Sequence, residues 1–437
     1  MTAVTNNEKW QQLVLDYWDD YKSEHPVEVS EFDHVYRREF SKEAIEDYQR
    51  RYTKDCEFLQ RLTEVHVGDL CEEHRINYQL LWQKLQLNRE YYELEGHLRP
   101  VLFPFGPETE IGYSGVDKVT LLSIEDAKDY LARMSHFSKL FHETQQRLQK
   151  GLEKGYFLPN VLLERVINNI LAFTGSSEED SLWYKPFKSP HIANTGGIVP
   201  LQAEAKQCIR EQIEPAYHNF IHYLREHYGP HCSESIAICD QPTGKAYYQL
   251  LIRHHTNLDL PPEDIHQIGL EEVARIHQEM EAVAEEAGYK SNLHGFRQFI
   301  NTDPQFFSPN KEALKEHIEI LSKRIDRRIP EYFGRIPRMT YGVESTPEAI
   351  AAQRPVAMAQ GNPADGTGSA IHWITSLPER CPTYMHIPLA LHEAWPGHLM
   401  HIALMQEIDS LPMFRRINFF HYNAYVEGWA LYCEHLG

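Results

Sequence analysis

Aromatic and aliphatic residues recur at three- and four-residue steps among many charges from the start of the chain to about residue 90, as in Trp10, Leu13, Tyr17 and Tyr21. That period predicts amphipathic helices, antiparallel to one another. The stretch 98–115 (LRPVLFPFGPETEIGYSG) is dense in Pro and Gly and predicts a loop between helical blocks. Helical patterning resumes at Glu125 and runs through HETQQRLQKGLEKG. A long loop is expected over 184–199, then helices over about 202–227 and 262–288. Pro262 followed by Glu263 and Asp264 suits a helix start, where Pro is tolerated and acids favour the positive end of the dipole. Strand signals come only late, in 338–346 (RMTYGVEST) and 370–377 (AIHWITSL), which are short, β-branched and aromatic. The expected fold is therefore mainly α with a small β-sheet beside the last helices. It reads as a single unit over 1–437, with a helical N-terminal part (1–120) and a helical catalytic part (121–437) whose active-site helices occupy 388–437.

Composition narrows the function. With 437 residues, 42% hydrophobic and 24% charged, the chain can bury a large core and reads as globular. A net charge of −20 argues against nucleic acid as a partner, because phosphate binding draws on clustered Lys and Arg. The seven Cys are scattered, and even the nearest pair, Cys232 and Cys239, lacks redox or zinc-ribbon spacing. The N-terminus lacks the basic start and apolar stretch of a secretory signal, and no apolar run approaches the roughly 18 residues of a membrane span. A cytoplasmic location follows as the expectation.

Chemistry concentrates near the C-terminus, in LALHEAWPGHLMH (389–401) and AYVEGWALYCE (424–434). Two imidazoles and a carboxylate on a later helix are the donor set of a catalytic zinc site, in which three protein ligands leave one position open. His392 and His398 are six residues apart, and at about 100° per residue an unbroken helix would point them about 120° apart, toward different sides. Pro396 and Gly397 resolve this: Pro breaks the helical ladder and Gly supplies freedom to turn. The expectation is a helix starting near Pro388, distorted at 395–397 and resuming at His398. Glu393, directly after the first ligand, is placed to take a proton from water as general base and pass it on to the leaving amine. In the second helix Phe420, Ala424, Glu427, Leu431 and Glu434 share a stripe. Glu427, flanked by small Ala424 and Gly428, is assigned to the metal, one Zn2+ per chain, and Glu434 to orienting a ligand imidazole. His401 competes with His398 as ligand, or supports the site or substrate instead. Tyr422, Tyr425 and His421 are candidate donors to a developing oxyanion. The strand AIHWITSL, with His372 and Trp373, either adds a substrate strand to its edge or only packs. His386 reads as a surface or core-satisfied imidazole rather than a ligand.

The segments HE-x-x-PGH (His392, Glu393, Pro396, Gly397, His398) and EGWALY-x-E (Glu427 to Tyr432, Glu434) resemble those of the family called domain of unknown function 885, DUF885, in the zinc peptidase superfamily. The stretch 244–280 is similar to that family's middle region, and the resemblance covers most of the chain from the second hundred onward. It implies a gluzincin-like helical fold and metallopeptidase activity. Two departures stand out: Leu399 replaces a second His common after PGH, and members usually continue past the EGWALY segment, so the chain is expected to be C-terminally incomplete.

The leading expectation is zinc-dependent hydrolysis of short peptides in a cleft between helical walls. A non-peptide amide or ester substrate, and a scaffold without catalysis, are the alternatives. The spacing of residues sets neither exo- or endopeptidase action nor oligomeric state.

Overall fold

The computed structural model describes residues 5–29, 38–99, 102, 106, 116, 119–352, 354–362, 368–417 and 422–436. Most of the expected loop 98–115, and Phe420 and His421, lie outside the described residues. The chain forms two compact units, Met1–Leu250 and Leu251–Gly437.

In the first unit the principal helices are α1 (Asn6–Glu24), α2 (Ile45–Thr63), α3 (Glu72–Glu93), α4 (Ile124–Ser135), α5 (Phe137–Lys154), α6 (Asn160–Leu171), α7 (Ile198–Cys208) and α8 (Glu214–Tyr223). Thr5 and Glu8 close a reciprocal capping box that starts α1 by satisfying backbone amides the first turn leaves open. The stripe of Trp10, Leu13, Tyr17 and Tyr21 is buried, as its period requires. Turns of π-helix, Ile209–Ile213 and Leu224–Tyr228, follow α7 and α8, so the helix expected over 202–227 begins earlier and is locally widened.

The core of this unit is aromatic. The Phe137 ring lies 4.7 Å from Trp183 and 4.8 Å from Tyr217. Trp183 donates its indole N–H to the Tyr217 hydroxyl at 3.2 Å, and Tyr130 donates to the Trp183 carbonyl at 3.1 Å. Trp183 belongs to a 3-10 turn, Leu182–Lys188, so the start of the expected loop over 184–199 is an anchored core segment, with Phe187 fully buried.

Helix α9 (Gly244–Thr256) runs across the boundary between the units. The second unit contains α10 (Pro262–Glu286), α11 (Leu293–Thr302), α12 (Lys311–Asp326), three strands, and then α13 (His386–Glu393), α14 (His398–Glu407), α15 (Met413–Ile417) and α16 (Asn423–Glu434). Strands β1 (Tyr341–Ser345), β2 (Ala357–Gln360) and β3 (Ala370–Ile374) form a mixed sheet in the order β1-β3-β2. β1 pairs with β3 in parallel and β2 pairs with β3 antiparallel, which sets Val343 and Ala359 on either side of His372. Leu314 and Ile318 of α12 pack on Val343, Ala357 and Ile374 beneath Cys381. The sheet, with α12 on it, is the platform for α13.

The mainly helical fold with a small sheet is thus as expected, with one correction of consequence. Of the two readings of β3, an edge offered to substrate or packing alone, the first fails, because β3 is central and bonded on both sides. The edge beside α13 and α14 belongs instead to β2, whose AMAQ composition carries little strand signal.

Removing the aromatic centre tests the energetics of the first unit. Phe137→Ala is expected to destabilise it by about 3–5 kcal/mol through cavity formation. Tyr217→Phe, which leaves the buried Trp183 N–H without this acceptor, is expected to cost about 1–3 kcal/mol. Urea unfolding followed by tryptophan fluorescence reads both, and equal effects from the two variants would contradict the assignment.

Candidate metal centre

Helix α13 enters from a turn in which Nε2 of the buried His386 ring is 3.1 Å from the Cys381 carbonyl, while its Nδ1 has no hydrogen-bond partner among the described residues, so the core satisfies this imidazole on one side alone. Pro388 sits in the first helical turn, where its missing N–H is harmless. The helix ends at Glu393. Ala394 leaves the helical region with ψ −121°, and a cis Trp395–Pro396 bond and Gly397 with ψ −134° complete the turn before α14 opens at His398. The distortion therefore falls where it was expected, but glycine is needed for a different reason. Gly397 has a φ of −70°. A Cβ there would stand 1.9 Å from the His392 carbonyl oxygen and 2.4 Å from that of Leu391, so only a residue without a side chain lets the turn fold back onto α13.

The folded-back turn brings the two imidazoles together, with ring centroids 4.7 Å apart and planes perpendicular. Their Nε2 atoms converge on one carboxylate oxygen of Glu427, at 3.5 Å from His392 and 3.6 Å from His398. Each of the three residues offers a ligand atom within 4.8 Å of the others. Zinc bound at about 2.0–2.2 Å to each donor in a tetrahedron needs ligand atoms about 3.4 Å apart, so both imidazole-to-carboxylate spacings fit. The donor set, two imidazoles and one carboxylate, also suits zinc chemically.

Helix α16 places Glu427 by seating Val426, Ala430 and Cys433, all buried, against α13, where Ala390 and Ala394 are equally buried. Small side chains on both helices allow this approach. The expected spacers do not supply it: Ala424 is exposed and a Cβ on Gly428 would meet open space. The proposed stripe is likewise rotated, since Leu431 is 55% exposed. Glu427 stands at the rim, its side chain half exposed, while His398 is buried.

The surrounding groups are strongly conditioned by burial. Glu393 is buried, and desolvation, reinforced by the Glu427 and Glu434 charges, pushes its carboxyl up to about 7 against the opposing effects of His392 and a hydrogen bond donated by the backbone N–H of Ala359 in β2. Burial, with the neighbouring His392 and His401, holds His398 down to about 4, leaving it neutral and competent as a ligand at neutral pH. Glu434 accepts from or faces the other nitrogen of His392, Nδ1, at 2.8 Å, the arrangement that fixes ring orientation and directs Nε2 to a metal.

His401 lies one turn beyond His398, outside the converging group, with its ring edge-on to Tyr425 at 5.3 Å. Burial and the Arg415 charge hold it down to about 4. Tyr425 is exposed. Tyr422 stands at the N-terminus of α16, and burial raises its phenol to about 12. His372 is fully enclosed in the central strand, held down to about 4 by desolvation, with no protein hydrogen-bond partner on either ring nitrogen among the described residues. Two contributors escaped the sequence reading. The Ala359 amide has no side-chain signal at all. Trp429, whose indole N–H donates to the Pro396 carbonyl at 2.9 Å, lay in plain view inside the EGWALY segment.

Solved structures share this fold. The crystal structure of a protein from Colwellia psychrerythraea described as a "putative lipoprotein" matches with a TM-score of 0.90 at 22% identity, covering 99% of this chain and 78% of that one. One from Shewanella oneidensis, described as a "putative lipoprotein of unknown function", matches with a TM-score of 0.63 at 15% identity, covering 98% and 77%. A search of curated proteins finds no match. The family described as "bacterial protein of unknown function (DUF885)" matches residues 30–437, the span that includes HE-x-x-PGH and EGWALY-x-E, and the chain belongs to that family.

Proposed function

We propose that the protein is a zinc-dependent hydrolase of peptide bonds in short peptides. The observation that carries this reading is the convergence of His392 Nε2, His398 Nε2 and the Glu427 carboxylate, with the carboxyl of Glu393 buried on the residue next to the first ligand. When bound, a zinc ion supplies Lewis acidity and lowers the pKa of water toward neutrality. Glu393 then takes a proton from water and returns it to the departing amine, a task suited to a carboxyl poised at about 7. Glu434 holds His392 in the orientation that presents Nε2.

An edge strand, β2, beside the helices that carry His392 and His398 favours a peptide over a small amide as substrate. Its Ala359 amide is donated to Glu393, so an extended chain that ran beside this end of β2 would pass close to the general base. Tyr422 and Tyr425, at the start of the helix that carries Glu427, are the phenol donors this reading assigns to the oxyanion.

No helix among the described residues is long and apolar enough to cross a membrane. The cytoplasmic placement expected from the N-terminus has a rival in the descriptions of the two solved relatives, and fractionation of the native protein between cytosol and envelope decides between them.

Elemental analysis should find one zinc per chain, lost in His392→Ala, His398→Ala and Glu427→Ala. Glu393→Gln should keep the metal and lose at least about 100-fold in cleavage of a mixed short-peptide library. Glu434→Gln should weaken zinc affinity about 10- to 100-fold. A wild type that takes up no zinc on reconstitution would sink the hydrolase reading, and zinc bound without peptide cleavage would favour a non-peptide amide or ester.

A further inference from the structure

The turn that delivers His398 departs from helical hydrogen bonding between Ala394 and Gly397, so its geometry has to be held from outside α13 and α14. One such hold comes from α16. The Trp429 indole N–H donates to the Pro396 carbonyl at 2.9 Å in a part-buried setting. Trp429 is two residues beyond Glu427, and Pro396 is two residues before His398. A single hydrogen bond therefore joins the helix turn carrying one candidate ligand to the chain turn carrying another.

The indole is itself held. The Phe333 ring stands nearly perpendicular to it at 6.2 Å, and Tyr432 lies 5.8 Å away on the same helix. On the other side of the turn, Trp395 packs on Tyr341 of β1 at 5.6 Å. The turn is thus pinned to the sheet through Trp395 and to α16 through its Pro396 carbonyl. Gly397 fixes how closely it lies on α13, and that contact does not reach α16.

We propose that Trp429 is a positioning residue that sets the spacing between His398 and Glu427, acting through the Pro396 carbonyl and touching neither metal nor substrate. The proposal rests on the metal reading above. It asks for a donor at this position, because only the N–H spans to the carbonyl; the ring's packing on Phe333 would survive without it. Loss of the bond would let the turn and α16 shift relative to each other and relax the 3.6 Å approach of His398 Nε2 to Glu427.

The test compares wild type with Trp429→Phe and with a chain carrying 3-benzothienylalanine at 429, which keeps the indole's shape and lacks only the N–H. Zinc affinity is read by competition with a chromogenic chelator, ligand geometry by the visible absorption of the cobalt(II)-loaded protein, and fold by the melting temperature of the metal-free protein. The expected result is a zinc affinity weakened about 10- to 100-fold in both variants, as for other residues that orient metal ligands. The cobalt spectrum should shift, and the melting temperature of the benzothienylalanine chain should stay within a few degrees. Unchanged affinity and spectrum in that chain would overturn the proposal, even if Trp429→Phe unfolds. A wild type that binds neither zinc nor cobalt would overturn the metal reading and the proposal with it, an outcome separable by its appearance in the unmodified protein.

Discussion

The contact of Gly397 with the carbonyls of Leu391 and His392 is the constraint on which the centre depends. Six residues along an unbroken helix would carry the two imidazoles apart; folding the chain back onto the end of α13 returns His398 to the side of His392. That fold-back is possible only where no side chain stands between two backbone segments. Everything else follows from it: α14 starts where it does, and α16 finds both Nε2 atoms within reach of one carboxylate oxygen.

Packing and electrostatics act together here. Ala390, Ala394, Ala430 and Cys433 are buried where α16 lies close to α13, and Glu393, at the end of α13, is buried as well. Desolvation then raises that carboxyl toward neutrality and keeps His398 uncharged. The exposed half of Glu427 shows the limit of this enclosure, since the site opens to solvent at its rim.

Much of this was legible in the residues. The helix break at Pro396-Gly397, the resumption at His398 and the three converging groups appear where the spacing put them, and Glu434 meets one of the two imidazoles, the structure choosing His392. The readings that failed share a cause, for each depended on which neighbours an element meets in the folded chain. The strand AIHWITSL has the composition of a strand on either edge or centre, and pairing with two partners decides that it is central. Gly428 looked like a spacer because it adjoins Glu427, yet the helix turns Ala430 and Cys433 inward instead. Strand β2 was missed because Ala, Met and Gln favour no pleated surface, and it exists through its bonds to β3.

By itself, then, the chain's sequence determined the donor types, their spacing, the position of the break between them and the mainly helical class, because periodicity, proline and glycine act locally. The tertiary structure alone decided the 3.5 and 3.6 Å approaches to Glu427, the amide of Ala359 at Glu393, the elevated pKa of that acid and the indole that pins Pro396. Those are distances and burial between segments remote in the chain, and no local preference encodes them.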